Sequence, residues 1–213
     1  MYLYSLFFGD IMLTKKQLAI QLSKLKVFEN PKLLLEQYPT DSEIAATVLW
    51  DALMKGDIDD KIVADFGAGT GILGIGALLL GAKHVYFVET DADAVNVLRE
   101  NLKGIKSTEK YTIVDTDISI FDTKVDTVLQ NPPFGTKQAH ADKPFLEKAF
   151  AVAHTVYSFH KTTTESFVKA IAHDFGFTIA EVYSFLFPLR HTYKHHTKKR
   201  ACIDVKCFRL VGC

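Results

Sequence analysis

The chain has 213 residues, 25 Lys+Arg against 25 Asp+Glu, and 48% hydrophobic residues. That length fits one domain with at most a small extension, and that apolar content excludes global disorder. A formal net charge of zero excludes a general nucleic-acid coat protein, so any nucleic-acid contact must come from a local patch.

The chain opens MYLYSLFFGDIML. This stretch is apolar, but it has no basic leader and no small-residue cleavage site, and Asp10 interrupts it, which argues against a signal peptide. No apolar run approaches the roughly 20 residues needed to span a bilayer. Met12 leads straight into a polar helical pattern. Residues 1–12 are therefore expected to be an N-terminal extension, a translated upstream stretch or a loose arm, ahead of one domain over 13–213. Leu18, Leu22 and Leu25 predict a first helix ending near Asn30-Pro31. LLLEQYPT (33–40) leads into a second helix with Thr40, Asp41 or Ser42 as its N-cap and Ile44, Val48, Leu49, Ala52 and Leu53 as its apolar face.

From Lys61 the pattern changes to short apolar strands alternating with helices, which implies a mainly parallel sheet covered on both faces. KIVADF (61–66) is the first strand, followed by the loop DFGAGTGILG (65–74) and a buried helix over 70–80. The loop carries two overlapping patterns. Gly69-x-Gly71-x-x-Gly74 fits a dinucleotide fingerprint, and Asp65-x-Gly67-x-Gly69-x-Gly71 fits the loop of S-adenosylmethionine (SAM) enzymes. Position favours the second, because Asp65 ends the strand and Gly67 is the first glycine of the turn. A tight packing turn is the third reading. HVYFVE (84–89) is the next strand and ends in Glu89, near the offset of about 20 residues at which a carboxylate accepts from both ribose hydroxyls. An exposed strand-end acid would look the same. Ala92–Lys103 reads as an amphipathic helix, and YTIVDTD (111–117) as a strand closed by Asp117. The Asp117 carboxylate could take an adenine amino hydrogen, with the Ile118 N–H at the ring; a turn-forming Asp is as well supported.

VDTVLQ (125–130) is a further strand, and NPPF (131–134) follows it. Two prolines cannot donate to a ladder, so the strand must stop there. In a parallel sheet this places NPPF on the carboxyl edge, beside the glycine loop. A planar exocyclic amine is a poor nucleophile, because its lone pair is delocalised. The Asn131 side-chain oxygen and the Pro132 carbonyl can accept both amino hydrogens and draw the nitrogen out of plane. Pro132 and Pro133 fix those directions, and Phe134 offers a ring for a base to stack on. The bland alternative is a turn with Phe134 in the core.

Pro144–His154 reads as a helix, TVYSFH (155–160) as a strand, and Thr162–Phe175 as a helix. At the end of that strand, His160 and Lys161 could contact phosphate or simply be solvated. FTIAEVYSFLFPL (177–189) and ACIDVKCFRL (201–210) have no helix between them and should pair antiparallel. Their connection, RHTYKHHTKKR (190–200), is basic and contains no acid, which suits RNA phosphates; Lys194, Lys198, Lys199 and Arg200 are the candidate contacts. The cysteines Cys202, Cys207 and Cys213 lack CxxC spacing, so no metal site is expected, and free thiols suit the cytoplasm.

DFGAGTG, Glu89 and NPPF together resemble class I SAM-dependent methyltransferases acting on amino groups. LLLEQYPT, NPPFGTK, HADKPFLEKAF, VYSFHK and YKHHTKKR resemble the methyltransferase-like 5 type of ribosomal RNA adenine-N6 methyltransferase and its archaeal relatives, over roughly residues 13–210. The resemblance implies an α/β Rossmann-like fold with a seven-stranded, mainly parallel sheet, a C-terminal antiparallel hairpin and N-terminal helices. It implies methylation of one adenosine in small-subunit ribosomal RNA. It places Gln37, Thr40, Gly67, Thr70, Ile72, Glu89, Asp117 and Ile118 around SAM, with Asp65, Gly69 and Gly71 completing the loop, and Asn131 to Phe134 on the target adenine. Eukaryotic members work with a small zinc-binding activator that covers a sheet edge; an edge strand near 111–116 would be its dock here. Competing readings are a protein glutamine-N5 methyltransferase, whose amide nitrogen poses the same chemical problem, and a noncatalytic SAM-binding ribosome-assembly factor. DNA adenine methylation would need a sequence-reading domain, for which 213 residues leave little room.

Overall fold

A computed structural model of the protein describes residues 7–8, 11–28, 39–105, 110–134, 141–188 and 202–213. Two short strands, β1 (Phe7–Phe8) and β2 (Ile11–Met12), pair antiparallel ahead of the helices α1 (Lys15–Leu22) and α2 (Ser42–Met54). There follow β3 (Ile62–Phe66), α3 (Ile72–Leu79), β4 (His84–Glu89), α4 (Ala92–Leu102), β5 (Tyr111–Asp115), β6 (Val125–Gln130), α5 (Lys143–Val152), β7 (Ala153–Lys161), α6 (Glu165–Asp174), β8 (Phe177–Pro188) and β9 (Cys202–Gly212).

Seven of these strands form one sheet in the order β5-β4-β3-β6-β7-β9-β8. The pairs from β5 to β7 are parallel, and β9 runs antiparallel to both β7 and β8. Successive strands step outward from β3 in one direction and then, from β6, in the other. A crevice therefore opens at the carboxyl ends of β3 and β6, where open α/β sheets hold ligands. One face of the sheet carries α1, α2 and α3 with Leu98 and Leu102 of α4, and the other carries α5 and α6. No helix among the described residues is long and apolar enough to cross a membrane.

The expected apolar face of α2 is buried throughout, and Asp41 is its cap, accepting from the N–H groups of Glu43 and Ile44. Two helices end two or more residues earlier than the sequence predicts. The first helix stops at Leu22, well short of Asn30-Pro31. Ser23 donates its hydroxyl to the Ile20 carbonyl and its N–H to Ala19, and the chain turns there, while Leu25 still packs on the core. The helix expected to reach His154 ends at Val152, because Ala153 already pairs with Val125 of β6; tertiary pairing overrides the local pattern.

Candidate active site

A cavity of about 530 Å³ lies at the crevice, a size suited to a small-molecule ligand. Its floor is the turn between β3 and α3. Gly67 and Gly69 have φ of +63° and +56°, a region that suits glycine. A Cβ at Gly67 would stand 3.1 Å from the Phe145 ring, and one at Gly69 3.2 Å from the Phe28 ring. Backbone is thus offered to a ligand where any side chain would crowd it. Thr70 and Ile72 also line the cavity, whereas Gly71 caps α3 in a left-handed conformation.

Glu89 ends β4 at the cavity wall. Its Oε2 accepts from Gly69 N and its Oε1 from Thr90 N and Asp91 N, all at 2.8 Å. The carboxylate therefore stitches the glycine turn to the start of α4. With about four acceptor positions, it has roughly one beyond these three bonds, so vicinal hydroxyls must share or exchange with backbone donors. Asp117 lies on the same wall with its Oδ1 accepting from Ser119 N; the Ser119 hydroxyl first, and that N–H second, hold its carboxyl below the usual range, and Ile118 is beside it.

Asp65 is 1% exposed, and its Oδ2 accepts from Gly74 N at 2.8 Å. Burial, reinforced by the charge on Glu89 and only partly offset by the Gly74 N–H, pushes its carboxyl up to about 8. The native state then keeps a proton that the unfolded chain has given up. Native stability should therefore fall as pH rises from the ordinary carboxylate range toward about 8, by at most ~1.4 kcal/mol per pH unit. Denaturant unfolding between pH 5 and 8 is expected to show this slope in the ligand-free protein and a flatter one in Asp65→Asn; parallel curves would assign the slope elsewhere.

NPPF begins immediately after β6, on the same edge. Asn131 and Pro133 line the cavity. Asn131 Nδ2 donates to the Thr40 hydroxyl at 3.0 Å, which fixes the orientation of the amide with Oδ1 as its acceptor end. Thr40, expected as a candidate cap of α2 or at the cofactor, is a support for Asn131, while Asp41 takes the cap. Phe134 is 6% exposed and packs edge-on against Phe187, with centroids 6.3 Å apart. Its ring is covered in this state, so stacking on a base requires it to be uncovered. Gln37 and the basic residues Lys194, Lys198, Lys199 and Arg200 lie outside the described residues. The strand ends flanking the basic loop, Pro188 and Cys202, pair with each other. Because β8 runs in the same direction as β7, that pair sits on the carboxyl edge, as NPPF does.

His160 departs from both of its expected roles. It is 1% exposed and bonded to Ser158 and Asp142, so it is neither solvated nor available to a phosphate. The strand runs on to Lys161, and the start of α5 covers its end.

The structure adds residues that carried no sequence signal. The Asn101 side chain accepts from Lys26 N (2.8 Å) and donates to Lys26 O (3.0 Å) and Thr70 O (2.9 Å). It ties the segment carrying Phe28, which lies 75 positions from Asn101 at Lys26, to the glycine turn. Phe28 and Phe145 wall the cavity from distant parts of the sequence.

The lining also separates the two glycine-loop readings. Among the described residues it includes the carboxylates Glu89, Asp91, Asp93 and Asp117, beside the proton-bearing Asp65, and no Lys, Arg or His. Such a wall opposes a dianionic pyrophosphate and suits a ligand carrying sulfonium and ammonium charges with ribose hydroxyls. The site fits SAM.

Residues 40–157 match the family model "Methyltransferase small domain". The chain is 37% identical to the zebrafish (Danio rerio) rRNA N(6)-adenosine-methyltransferase METTL5, over 92% of this chain and 97% of that protein. It is 34% identical to the uncharacterized protein MJ0284 of Methanocaldococcus jannaschii, over 93% and 94% of the two chains. Among solved structures, PH1948 of Pyrococcus horikoshii, a candidate RNA methyltransferase, superposes with a TM-score of 0.86 at 45% identity, covering 95% of this chain and 99% of its own.

Proposed function

The chain belongs to the methyltransferase small-domain family, in the branch of the METTL5-type rRNA N6-adenosine methyltransferases, and on that premise we propose that it methylates N6 of an adenosine in small-subunit ribosomal RNA. The observation that carries this reading is the shared edge: an acid-walled SAM cavity and the Asn131 amide, joined through Thr40, open at one crevice.

Bound there, SAM supplies an electrophilic methyl group. Gly67, Gly69 and Thr70 would bear its methionine portion, Glu89 its ribose, and Asp117 and Ile118 its adenine. Asn131 Oδ1 and the Pro132 carbonyl accept the two hydrogens of the target amine, which returns the lone pair to nitrogen and stabilises the positive charge developing there. Two prolines in succession limit the turn's freedom, so little ordering is left for the transition state. Asn131's own amide is held by Thr40, so the acceptor end of the amide is oriented beside the cofactor segment.

RNA as substrate draws support from the basic sequence at 190–200, whose flanking strand ends lie on this edge. A protein amide would need no such positive patch. We assign the reaction to the cytoplasm, in keeping with three free cysteines. An activator, where one is used, would add to β5, which is an edge strand of the sheet and has only half-buried or exposed side chains.

Mass spectrometry of ribosomal RNA nucleosides should find one N6-methyladenosine in small-subunit RNA that is lost when the gene is deleted; unchanged nucleosides would refute the assignment. Asn101→Ala should raise the SAM dissociation constant about tenfold in calorimetry, since it frees the Phe28 segment and a binding loss of ~1.4 kcal/mol is tenfold. An unaltered constant would make the clamp irrelevant to the cofactor.

A further inference from the structure

Behind NPPF, four polar side chains form one continuous chain of hydrogen bonds. Gln130 Nε2 donates to Ser158 Oγ at 2.9 Å, Ser158 Oγ lies 2.6 Å from His160 Nε2, and His160 Nδ1 lies 2.8 Å from Asp142 Oδ2. Gln130 and Ser158 are 0% exposed, His160 1% and Asp142 5%. By strand alternation, Gln130, Ser158 and His160 share the sheet face that α5 and α6 cover, and the His160 ring meets Phe208 there.

The direction of the bonds follows from the chemistry. A carboxylate can only accept, so Nδ1–H donates to Asp142. In the tautomer with its proton on Nδ1, Nε2 accepts from the Ser158 hydroxyl, whose oxygen accepts from Gln130. Asp, His and Ser in this order also occur in hydrolase triads. Here the serine is fully buried and is not on the cavity wall, so it cannot act as a nucleophile.

Its place in the chain gives the network its role. Gln130 directly precedes Asn131, and Asp142 directly precedes α5. The end of β6, from which NPPF continues, and the start of α5 are therefore linked through β7. Asp142 occupies the N-cap position of α5, yet its side chain makes no cap bond. Forgoing a cap costs about 1 kcal/mol, and the carboxylate is committed to His160 instead. A buried, directional network of this kind specifies one arrangement of what it joins.

We propose that His160, acting with Ser158 and Asp142, is a positioning residue: it fixes NPPF (131–134) relative to the start of α5 so that Asn131 meets the target amine in reactive geometry. This rests on the amine-clamp reading of Asn131 given above.

The test compares His160→Ala, the milder Ser158→Ala, and Asp142→Asn, which keeps an acceptor for Nδ1–H. Full-length proteins would be assayed for kcat and KM on small-subunit RNA, for SAM affinity by calorimetry, and for backbone hydrogen exchange. Misplacing a reacting group by about 1 Å can cost about 10²-fold. His160→Ala is expected to lower kcat by about that factor and Ser158→Ala by about tenfold. KM and SAM affinity should hold within about twofold, exchange should quicken at the amides of Asn131, Phe134, Ala141 and Asp142, and Asp142→Asn should retain most activity. Unchanged kcat and exchange in Ser158→Ala would overturn the proposal. So would losses of kcat, SAM affinity and melting temperature in proportion, which would mark a purely structural network. If the unaltered protein methylates no RNA, the functional reading fails, while the exchange measurement still decides whether the network fixes NPPF relative to the start of α5.

Discussion

Asn131→Ala is expected to lose methyl transfer by about 10²–10³-fold while binding SAM within about twofold of the unaltered protein. The asymmetry follows from where Asn131 sits. Its Nδ2 bond to Thr40 is a single neutral hydrogen bond, worth about 1 kcal/mol to the fold. The cofactor cradle is built from other residues, at the ends of β3, β4 and β5. What the substitution removes is an acceptor whose worth grows as the amine nitrogen becomes positive, so the loss should fall on kcat rather than on KM. Calorimetry with SAM and a labelled-methyl assay on the same preparation separate the two. Undiminished turnover would remove Asn131 from the mechanism, and a parallel collapse of SAM binding would make it a cofactor residue.

Glu89→Ala is expected to weaken SAM binding by about 10²-fold and to lower the melting temperature of the ligand-free protein as well. The second effect arises because Gly69, Thr90 and Asp91 each donate a backbone N–H to this carboxylate. Removing the acceptor leaves three donors to find water or strain the turn. The two effects discriminate between the readings of Glu89. A strand-end acid with no part in binding would show the melting shift alone, with SAM affinity preserved in the folded fraction. Glu89→Gln should fall between, since one carbonyl oxygen can serve Gly69 or the pair at 90 and 91 but not both.

The legible and illegible parts of this protein differ in sequence distance. β4 and β6 match the predicted spans 84–89 and 125–130 to the residue, because apolar runs there are bounded by a loop signal or by prolines. Gly67, Glu89 and Asn131 could be placed from order alone, since a parallel sheet sends every strand-to-helix turn to one edge. Asn101 could not. It looks like one more polar position on an amphipathic helix, and its partners Lys26 and Thr70 are brought to it only by the assembled fold. His160 was misread for a related reason. Strand ends are usually solvated, but this one lies under the start of α5, where Asp142 supplies its partner. Phe134 is the remaining lesson: a motif can name a stacking ring without revealing that, in the protein alone, the ring is packed against Phe187.

The central claim is that this crevice delivers a methyl group to adenine N6 in RNA. Its most direct test incubates purified protein with methyl-labelled SAM and deproteinised small-subunit ribosomal RNA, then digests the RNA to nucleosides. Label in N6-methyladenosine alone, absent with Asn131→Ala, is the predicted result. Label in another nucleoside, in a ribosomal protein added alongside, or in none of these would contradict it.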